Sequence, residues 1–416
     1  MRIAYLTGRY PAISHTFISR EVRALRSLGV LVDTFSIWPT DSSLLLSDDD
    51  CKDFETTKAL LSTGPLRAVA AGLRALLTRP GRLAAITVEA LRLRRPGLRG
   101  IGLSLTWVLE AVVLWDICRA QHIAHVHAHL NGTAPVVALL VSKLGDETHT
   151  GGPRWTWSMT VHGPAEFYEV HEERLADKVR AATFVVCISD FARSQLMGMV
   201  EERHWPKLRV VHCGVDLDAF SPTHPSPPRN RRTIEILTVG RLTSVKGQAC
   251  LVEALELILK RSVQARLTIV GEGPARDEIE GVAQRLGIES HVEMAGAVGQ
   301  DDIQDLYERA DVFALASFAE GVPIVLMEAM AKEIPVIAPA IMGIPELIEH
   351  EVSGLLTKPA RPDQIANCVK RLAADPELSA RLGSQGRRAV SEGFDVRRSA
   401  EQLREIFAEF MEASPG

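Results

Sequence analysis

The sequence predicts an α/β protein made of two layered domains, each built on a mostly parallel sheet. Three observations carry this. Short apolar strand-like runs alternate with helical patterns along the whole chain, glycine turns recur just after those runs, and a proline- and arginine-rich stretch interrupts the alternation near the middle. A length of 416 residues with 46% hydrophobic content is enough for two ordinary cores.

In chain order, a first strand is predicted at 2–7, followed by the Gly8-Arg9-Tyr10-Pro11 loop and a helix over 16–28 that stops at Gly29, a residue suited to a helix C-terminus. A second strand follows at 30–37. After a helical stretch, runs at 123–127, 155–161, 182–187 and 208–211 complete the first sheet. Pro222, Pro225, Pro227 and Pro228 with Arg229, Arg231 and Arg232 mark a linker. The second sheet is predicted from runs at 233–239, 266–270, 291–294, 312–316 and 336–338, and an amphipathic helix at 396–411 closes the chain. The expected division is a first domain over 1–217, a linker over 218–232 and a second domain over 233–394.

Composition excludes several classes. A net charge of −5 gives no support for a nucleic-acid partner. Cys51, Cys118, Cys187, Cys213, Cys250 and Cys368 are scattered without a CxxC pair, as expected of reduced thiols in the cytoplasm. The start of the chain lacks a signal-peptide pattern, and no uninterrupted apolar run approaches bilayer-spanning length. The expectation is a protein that is soluble or lies on a membrane surface.

The chemistry is concentrated in Glu320-Gly-Val-Pro-Ile-Val-Leu-Met-Glu328, which follows a strand-like run. Pro323 suits the start of a helix, so a helix is predicted from Val322 or Pro323. Glu320 then sits in the loop and Glu328 about two turns into the helix, with unbonded N–H groups and the positive dipole end between them. Such an end attracts phosphate, while the carboxylates accept from hydroxyls on either side of it. The plainer reading is a solvated loop acid and a helix-face charge. Upstream, Gly240-Arg-Leu-Thr-Ser-Val-Lys-Gly247 places Arg241 and Lys246 at the C-terminal end of another strand, where two cations suit two phosphates, although solvated surface cations are the competing reading. The spacing is not that of an ATP-binding Walker loop.

These segments, with Val270-Gly-Glu-Gly-Pro274, Gly296-Ala-Val298 and Glu328-Ala-Met-Ala331, occur in the order and spacing that resembles retaining glycosyltransferases of family 4. The resemblance covers the second half and reaches the first through Cys213-Gly-Val-Asp216. It implies the GT-B fold: two Rossmann-like domains facing a cleft, with the final helix, within 395–416, crossing back to the first. It also implies that Arg241 and Lys246 bind a donor diphosphate, Glu328 the ribose, and Glu320 the hexose. Gly271, Gly321, Val322 and Pro323 would complete the donor site, and backbone near Val298 would face the base. Pro11-Ala-Ile-Ser-His-Thr-Phe-Ile18 resembles a segment of the subgroup that builds colanic-acid-type exopolysaccharides, with His15 in place of the usual glutamate.

In the first half, Gly8 follows strand one, where open α/β sheets bind ligands and glycine permits close approach; a tight turn competes with that reading. His162 follows a strand and precedes Gly163-Pro164, and the family resemblance implies contact with the donor hexose. A structural histidine is the alternative. His125, His127 and His129 alternate along a strand, which puts them on one face; a zinc site would need further ligands. His127 and His129 are read, with His15, as acceptor-side residues, and no metal is expected. Asp48-Asp-Asp50 is read as a polar loop and Asp301-Asp302 as a helix N-terminus.

Between Leu66 and Arg99, the basic residues Arg67, Arg74, Arg79, Arg82, Arg92, Arg94, Arg95 and Arg99 face the single acid Glu89 among apolar residues, split by Pro80-Gly81. Two amphipathic helices with cationic faces are expected, suited to the anionic inner face of a plasma membrane. A solvated hairpin and an acceptor-phosphate site are the competing readings. The implied reaction moves a hexosyl-type group from a nucleoside diphosphate sugar to an acceptor hydroxyl with retention. The expected acceptor is a polyprenyl-diphosphate-linked glycan, with a soluble acceptor as alternative. Glu320, His162, Arg241 and Lys246 would carry catalysis. A GT-B epimerase or phosphorylase, or a non-catalytic sugar-nucleotide binder, is the rival class, and a Rossmann dehydrogenase is excluded because no GxGxxG opens a helix after strand one.

Overall fold

The computed structural model describes residues 1–12, 16–45, 47–94, 97–146, 154–168, 174–222, 233–300 and 302–412. His15, Arg95, Asp301 and most of the expected linker lie outside them. The chain divides into two units, one comprising Met1–Val211 together with the chain from Ala400 onward, the other His212–Ser399.

The first unit contains β1 (Arg2–Arg9), β2 (Leu31–Trp38), β3 (Lys58–Ala59), β4 (His125–His129), β5 (Thr156–Val161), β6 (Phe184–Cys187) and β7 (Leu208–Val210). All pair in parallel in the order β3-β2-β1-β4-β5-β6-β7. Strand order reverses between β1 and β4, which opens a crevice at their C-terminal ends. Every residue of β4, β5 and β6 is buried, as a parallel sheet covered on both faces requires.

Three local readings change. β1 runs through Gly8 to Arg9, so Gly8 is a strand residue and not part of a tight turn. β4 starts two residues later than expected and takes in His129. Asp48–Asp50 form the first turn of the helix Asp48–Thr56, where negative charge meets the positive dipole end and the Ser47 hydroxyl accepts from the Asp50 N–H at 3.1 Å.

Between β3 and β4 the helices Pro65–Thr78, Pro80–Leu93 and Leu98–Ala120 cover the sheet. Among the described residues, Leu98–Ala120 is long and apolar enough to cross a membrane by length and composition alone, and 61% of its most apolar window is buried in the fold, as in the core helix of a soluble domain. Glu110 and Asp116 interrupt its apolar run, as the sequence expectation required, and the fold shelters both. Three of the arginines turn toward the protein. Arg74 pairs with Asp116. Arg79 donates to the carbonyls of Leu144 (3.0 Å) and Gly145 (3.1 Å), and Arg82 to that of Lys143 (3.0 Å), so both neutralise the C-terminal end of the helix Thr133–Gly145.

The closing helix Val396–Glu412 joins the first unit from Ala400 onward. There Phe407 is fully buried against His125, His127, Phe184 and Tyr5, and Arg209 pairs with Glu409 at 2.8 Å.

The second unit contains β8 (Ile234–Val239), β9 (Ala265–Val270), β10 (Val292–Gly296), β11 (Val312–Ala314), β12 (Val336–Pro339) and β13 (Leu355–Thr357), parallel in the order β10-β9-β8-β11-β12-β13. Its reversal falls between β8 and β11. The unit begins at His212, earlier than the expected linker, because Cys213–Asp216 pairs with chain near Asp395: the Val215 N–H donates to the Phe394 carbonyl at 2.9 Å and the Val396 N–H to the Val215 carbonyl at 3.1 Å.

Candidate functional site

In the second unit, the loops after β8 and β11 meet at the switch point. Gly247 has a φ of +65°, and a Cβ there would lie 2.2 Å from the Ala316 carbonyl oxygen, so only glycine lets the loops approach this closely. The Lys246 ammonium donates to Glu320 Oε1 at 2.6 Å, and the Ser317 hydroxyl donates to the same oxygen at 2.7 Å. Glu320 is buried, while the lysine side chain is 26% exposed. The acid therefore holds a cation at the mouth of the crevice, in a charge-assisted contact stronger than a neutral hydrogen bond.

The helix after β11 is Ile324–Ala331, with Pro323 extended just before it, one residue later than expected. Its first-turn N–H groups face the loop that carries Gly321 and Val322. Glu328, buried within that helix, accepts from the Tyr307 hydroxyl at 2.7 Å. Arg241 is exposed at the end of β8, its carbonyl fixed by the Gln248 side-chain amide at 3.0 Å. Gly271 follows β9 with a φ of +135°, and a Cβ there would stand 2.0 Å from the Gly240 carbonyl oxygen. Val298 is half-buried beyond β10. Arg241, Lys246, Gly271, Val298, Glu320, Gly321, Val322, Pro323 and Glu328 thus lie at or beyond the C-terminal ends of four adjacent strands.

In the first unit, a Cβ on Gly8 would meet nothing within 4 Å, which leaves open space at the end of β1. On β4 and β5, three histidines face three hydroxyl residues. His125 bonds Thr156 (2.7 Å) and Ser158 (2.8 Å), and His127 bonds Ser158 (2.7 Å) and Thr160 (2.9 Å). His127 is wholly buried with both ring nitrogens engaged, so it belongs to the interior of the sheet rather than to an exposed edge. Burial drives His125 down to about 3 and His127 well below the ordinary histidine value, the latter helped by neighbouring histidines. Both rings are therefore neutral at physiological pH.

His129 is also buried, and its Nδ1 lies 2.9 Å from His162 Nε2. Phe17 packs on the His162 ring with centroids 4.5 Å apart. Behind them Glu21 accepts from the Tyr5 hydroxyl at 2.8 Å and stands 3.3 Å from His129 Nε2. Glu21, His127 and His129 bring a carboxylate oxygen and two ring nitrogens within 4.8 Å, but a cation could reach His127 only by displacing Ser158 or Thr160. Glu166 Oε2 accepts from the N–H groups of His162 (2.5 Å) and Gly163 (2.9 Å), and burial pushes this carboxyl up to about 7. Lys178, fully buried, donates to Asn131 Oδ1 (2.7 Å) and the Gly132 carbonyl (3.0 Å).

Sequence reasoning missed Glu21, Glu166, Ser317 and Tyr307. Glu21 had a signal: it lies four residues after Phe17 on the same helix face, and both reach the histidines. Ser317, three before Glu320, had none beyond proximity.

Residues 221–389 match the family model described as Glycosyl transferases group 1. The chain is 29% identical to the putative colanic acid biosynthesis glycosyltransferase WcaL of Escherichia coli K12, over 91% of each chain. It is 26% identical to the amylovoran biosynthesis glycosyltransferase AmsK of Erwinia amylovora, over 98% of this chain and 99% of that one. Among solved structures it is similar to Anabaena Alr3699/HepE in complex with UDP-glucose (TM-score 0.73, 19% identity, 98% and 100% coverage). It is also similar to sucrose-phosphate synthase from Thermosynechococcus elongatus (TM-score 0.69, 22% identity, full coverage of both). The fold is that of GT-B glycosyltransferases, with two Rossmann-like units.

The buried histidines make a pH prediction. His125 stays neutral in the fold down to about pH 3, whereas the unfolded chain protonates it below about 6.5, so its contribution is present above 6.5 and lost as pH falls. Glu166 acts in the opposite sense, favouring the fold below about 4.5 and losing that effect as pH rises to about 7. The stability gap between wild type and His125→Gln, read by urea unfolding, should shrink by up to about 1.4 kcal/mol per pH unit between pH 6 and 4. A constant gap would contradict the neutral buried ring.

Proposed function

From the premise that this chain is a glycosyltransferase carrying a group 1 domain, we propose that it moves a hexosyl-type group from a nucleoside diphosphate sugar to an acceptor hydroxyl with retention of configuration. The observation that carries this reading is the Lys246–Glu320–Ser317 contact at the switch point, beside a helix N-terminus and the Glu328–Tyr307 pair. Arg241, Lys246 and the N–H groups after Gly321 stabilise the diphosphate as charge develops on it, so no metal is required for that step. Glu328 holds the ribose, Glu320 the hexose, and backbone near Val298 the base. The family resemblance assigns His162 to the hexose as well. That HepE was solved with UDP-glucose supports a nucleotide-sugar donor.

Glu320 and Glu328 are placement residues in this scheme, not an acid and a nucleophile. Glu320 is already committed to Lys246 and Ser317, which suits an acceptor of hydrogen bonds and not a proton donor. A donor phosphate oxygen takes up the acceptor proton on the same face of the sugar.

WcaL and AmsK are named for colanic acid and amylovoran biosynthesis, which supports a part in exopolysaccharide assembly, and the acceptor we propose is a lipid-linked glycan. The exposed surface around the helices Pro65–Thr78 and Leu98–Ala120 supports a peripheral site on the inner face of the membrane. Leu66, Leu77 and Leu98 are 80–87% exposed, with Val69, Leu73, Leu76 and Leu105 also outward. Arg67, Arg92 and Arg99 accompany them, while Arg79 and Arg82 serve the fold. Exposed apolar side chains rimmed by cations are what an anionic lipid surface accepts.

Glu320→Gln keeps an acceptor for Ser317 and Lys246, so its unfolding midpoint should stay close to wild type while turnover falls by about 10²–10³. Near-normal turnover in a folded variant would remove Glu320 from the mechanism. In vesicle sedimentation, the full chain should partition onto phosphatidylglycerol vesicles more than onto phosphatidylcholine, and Leu66→Glu with Leu77→Glu should abolish the difference. Equal partitioning of wild type and double variant would overturn the membrane assignment.

A further inference from the structure

We infer that Glu21 and His129 are positioning residues that fix the tautomer of His162, in the order Glu21, His129, His162. His129 is wholly buried, and its two nitrogens face different partners: Nε2 lies 3.3 Å from Glu21 Oε1, and Nδ1 lies 2.9 Å from His162 Nε2. The Glu21 contact is within ion-pair distance but off the N–H axis, so His129 Nε2 makes no linear hydrogen bond. What acts there is the carboxylate charge, which attracts the ring proton to the nearer nitrogen.

Tyr5 donates its hydroxyl hydrogen to the same Glu21 oxygen at 2.8 Å, which holds the carboxylate in place. With the His129 proton on Nε2, its Nδ1 carries only a lone pair. The 2.9 Å contact then requires His162 Nε2 to be the donor, because one proton lies between the two rings. The neutral His162 ring therefore has its proton on Nε2 and its lone pair on Nδ1.

Phe17, one helical turn before Glu21, packs on the His162 ring and limits its rotation. Glu166 fixes the backbone of the same residue through the His162 and Gly163 N–H groups. Ring orientation, backbone position and proton location are thus set by three different elements, the arrangement by which outer residues orient a working histidine. The consequence for catalysis rests on the proposed glycosyl transfer: a single His162 tautomer gives the ring one fixed hydrogen-bonding polarity toward a sugar hydroxyl.

The tautomer can be read without any substrate, by nitrogen NMR of the ligand-free full chain labelled in its histidine rings, with the His162 signals assigned by their loss in His162→Gln. Wild type should show His162 Nε2 in the protonated range and Nδ1 in the unprotonated range. Glu21→Gln, which keeps shape and removes charge, should bring the two shifts toward each other as the second tautomer becomes populated. A wild-type ring protonated on Nδ1, or a folded Glu21→Gln protein with unchanged His162 shifts, would overturn the relay. Failure of sugar transfer with the expected shifts intact would count against the glycosyl reading and leave the relay standing.

Discussion

Lys246 and Glu320 form the contact on which the arrangement of the candidate site in the second unit depends. A carboxylate this buried is costly unless a cation and hydrogen bonds compensate it, and here one oxygen receives both the ammonium and the Ser317 hydroxyl. The pair also ties the loop after β8 to the loop after β11, across the one place where the order of the strands reverses. Gly247 is the steric condition for that tie, since any Cβ there would strike the Ala316 carbonyl. The cation proposed to bind phosphate is thereby held in position by the fold itself, and preorganisation of this kind is what makes electrostatic stabilisation effective.

The first unit solves a different problem: polar rings inside a sheet. His125, His127 and His129 occupy alternate positions of β4, opposite Thr156, Ser158 and Thr160 of β5. Hydroxyls can donate to one ring and accept from the next, so a neutral ladder satisfies itself without charge. Phe184 and Phe407 close it from the other side, the latter brought by the last helix of the chain. The ladder ends at His129, whose Nδ1 meets His162 Nε2.

Much of this was legible in the sequence because strands covered on both faces read as continuous apolar runs, and loops that follow them carry glycine and charge. The positions of Arg241, Lys246, Glu320 and Glu328 beyond the strand ends were readable that way. The strands β3 and β13 were not, since two or three residues give no period. The boundary at Val211 was hidden because Cys213–Asp216 pairs with chain almost two hundred residues later. The arginines between Leu66 and Arg99 were visible, but only the fold shows Arg79 and Arg82 turned onto a helix C-terminus while leucines face outward. His127 read as an acceptor-side residue, and its full burial was not visible, because alternation gives a face without saying what covers it.

The central claim is that the crevice between β8 and β11 binds the diphosphate of a nucleotide sugar through Arg241 and Lys246. Thermal unfolding of the full chain with UDP, GDP, ADP and their hexose conjugates tests it most directly, because a ligand that binds only the folded state stabilises it by about 2.7 kcal/mol at a hundredfold excess over Kd. The account predicts a raised midpoint with at least one base series, lost in Lys246→Met. No shift with any of these ligands would contradict it.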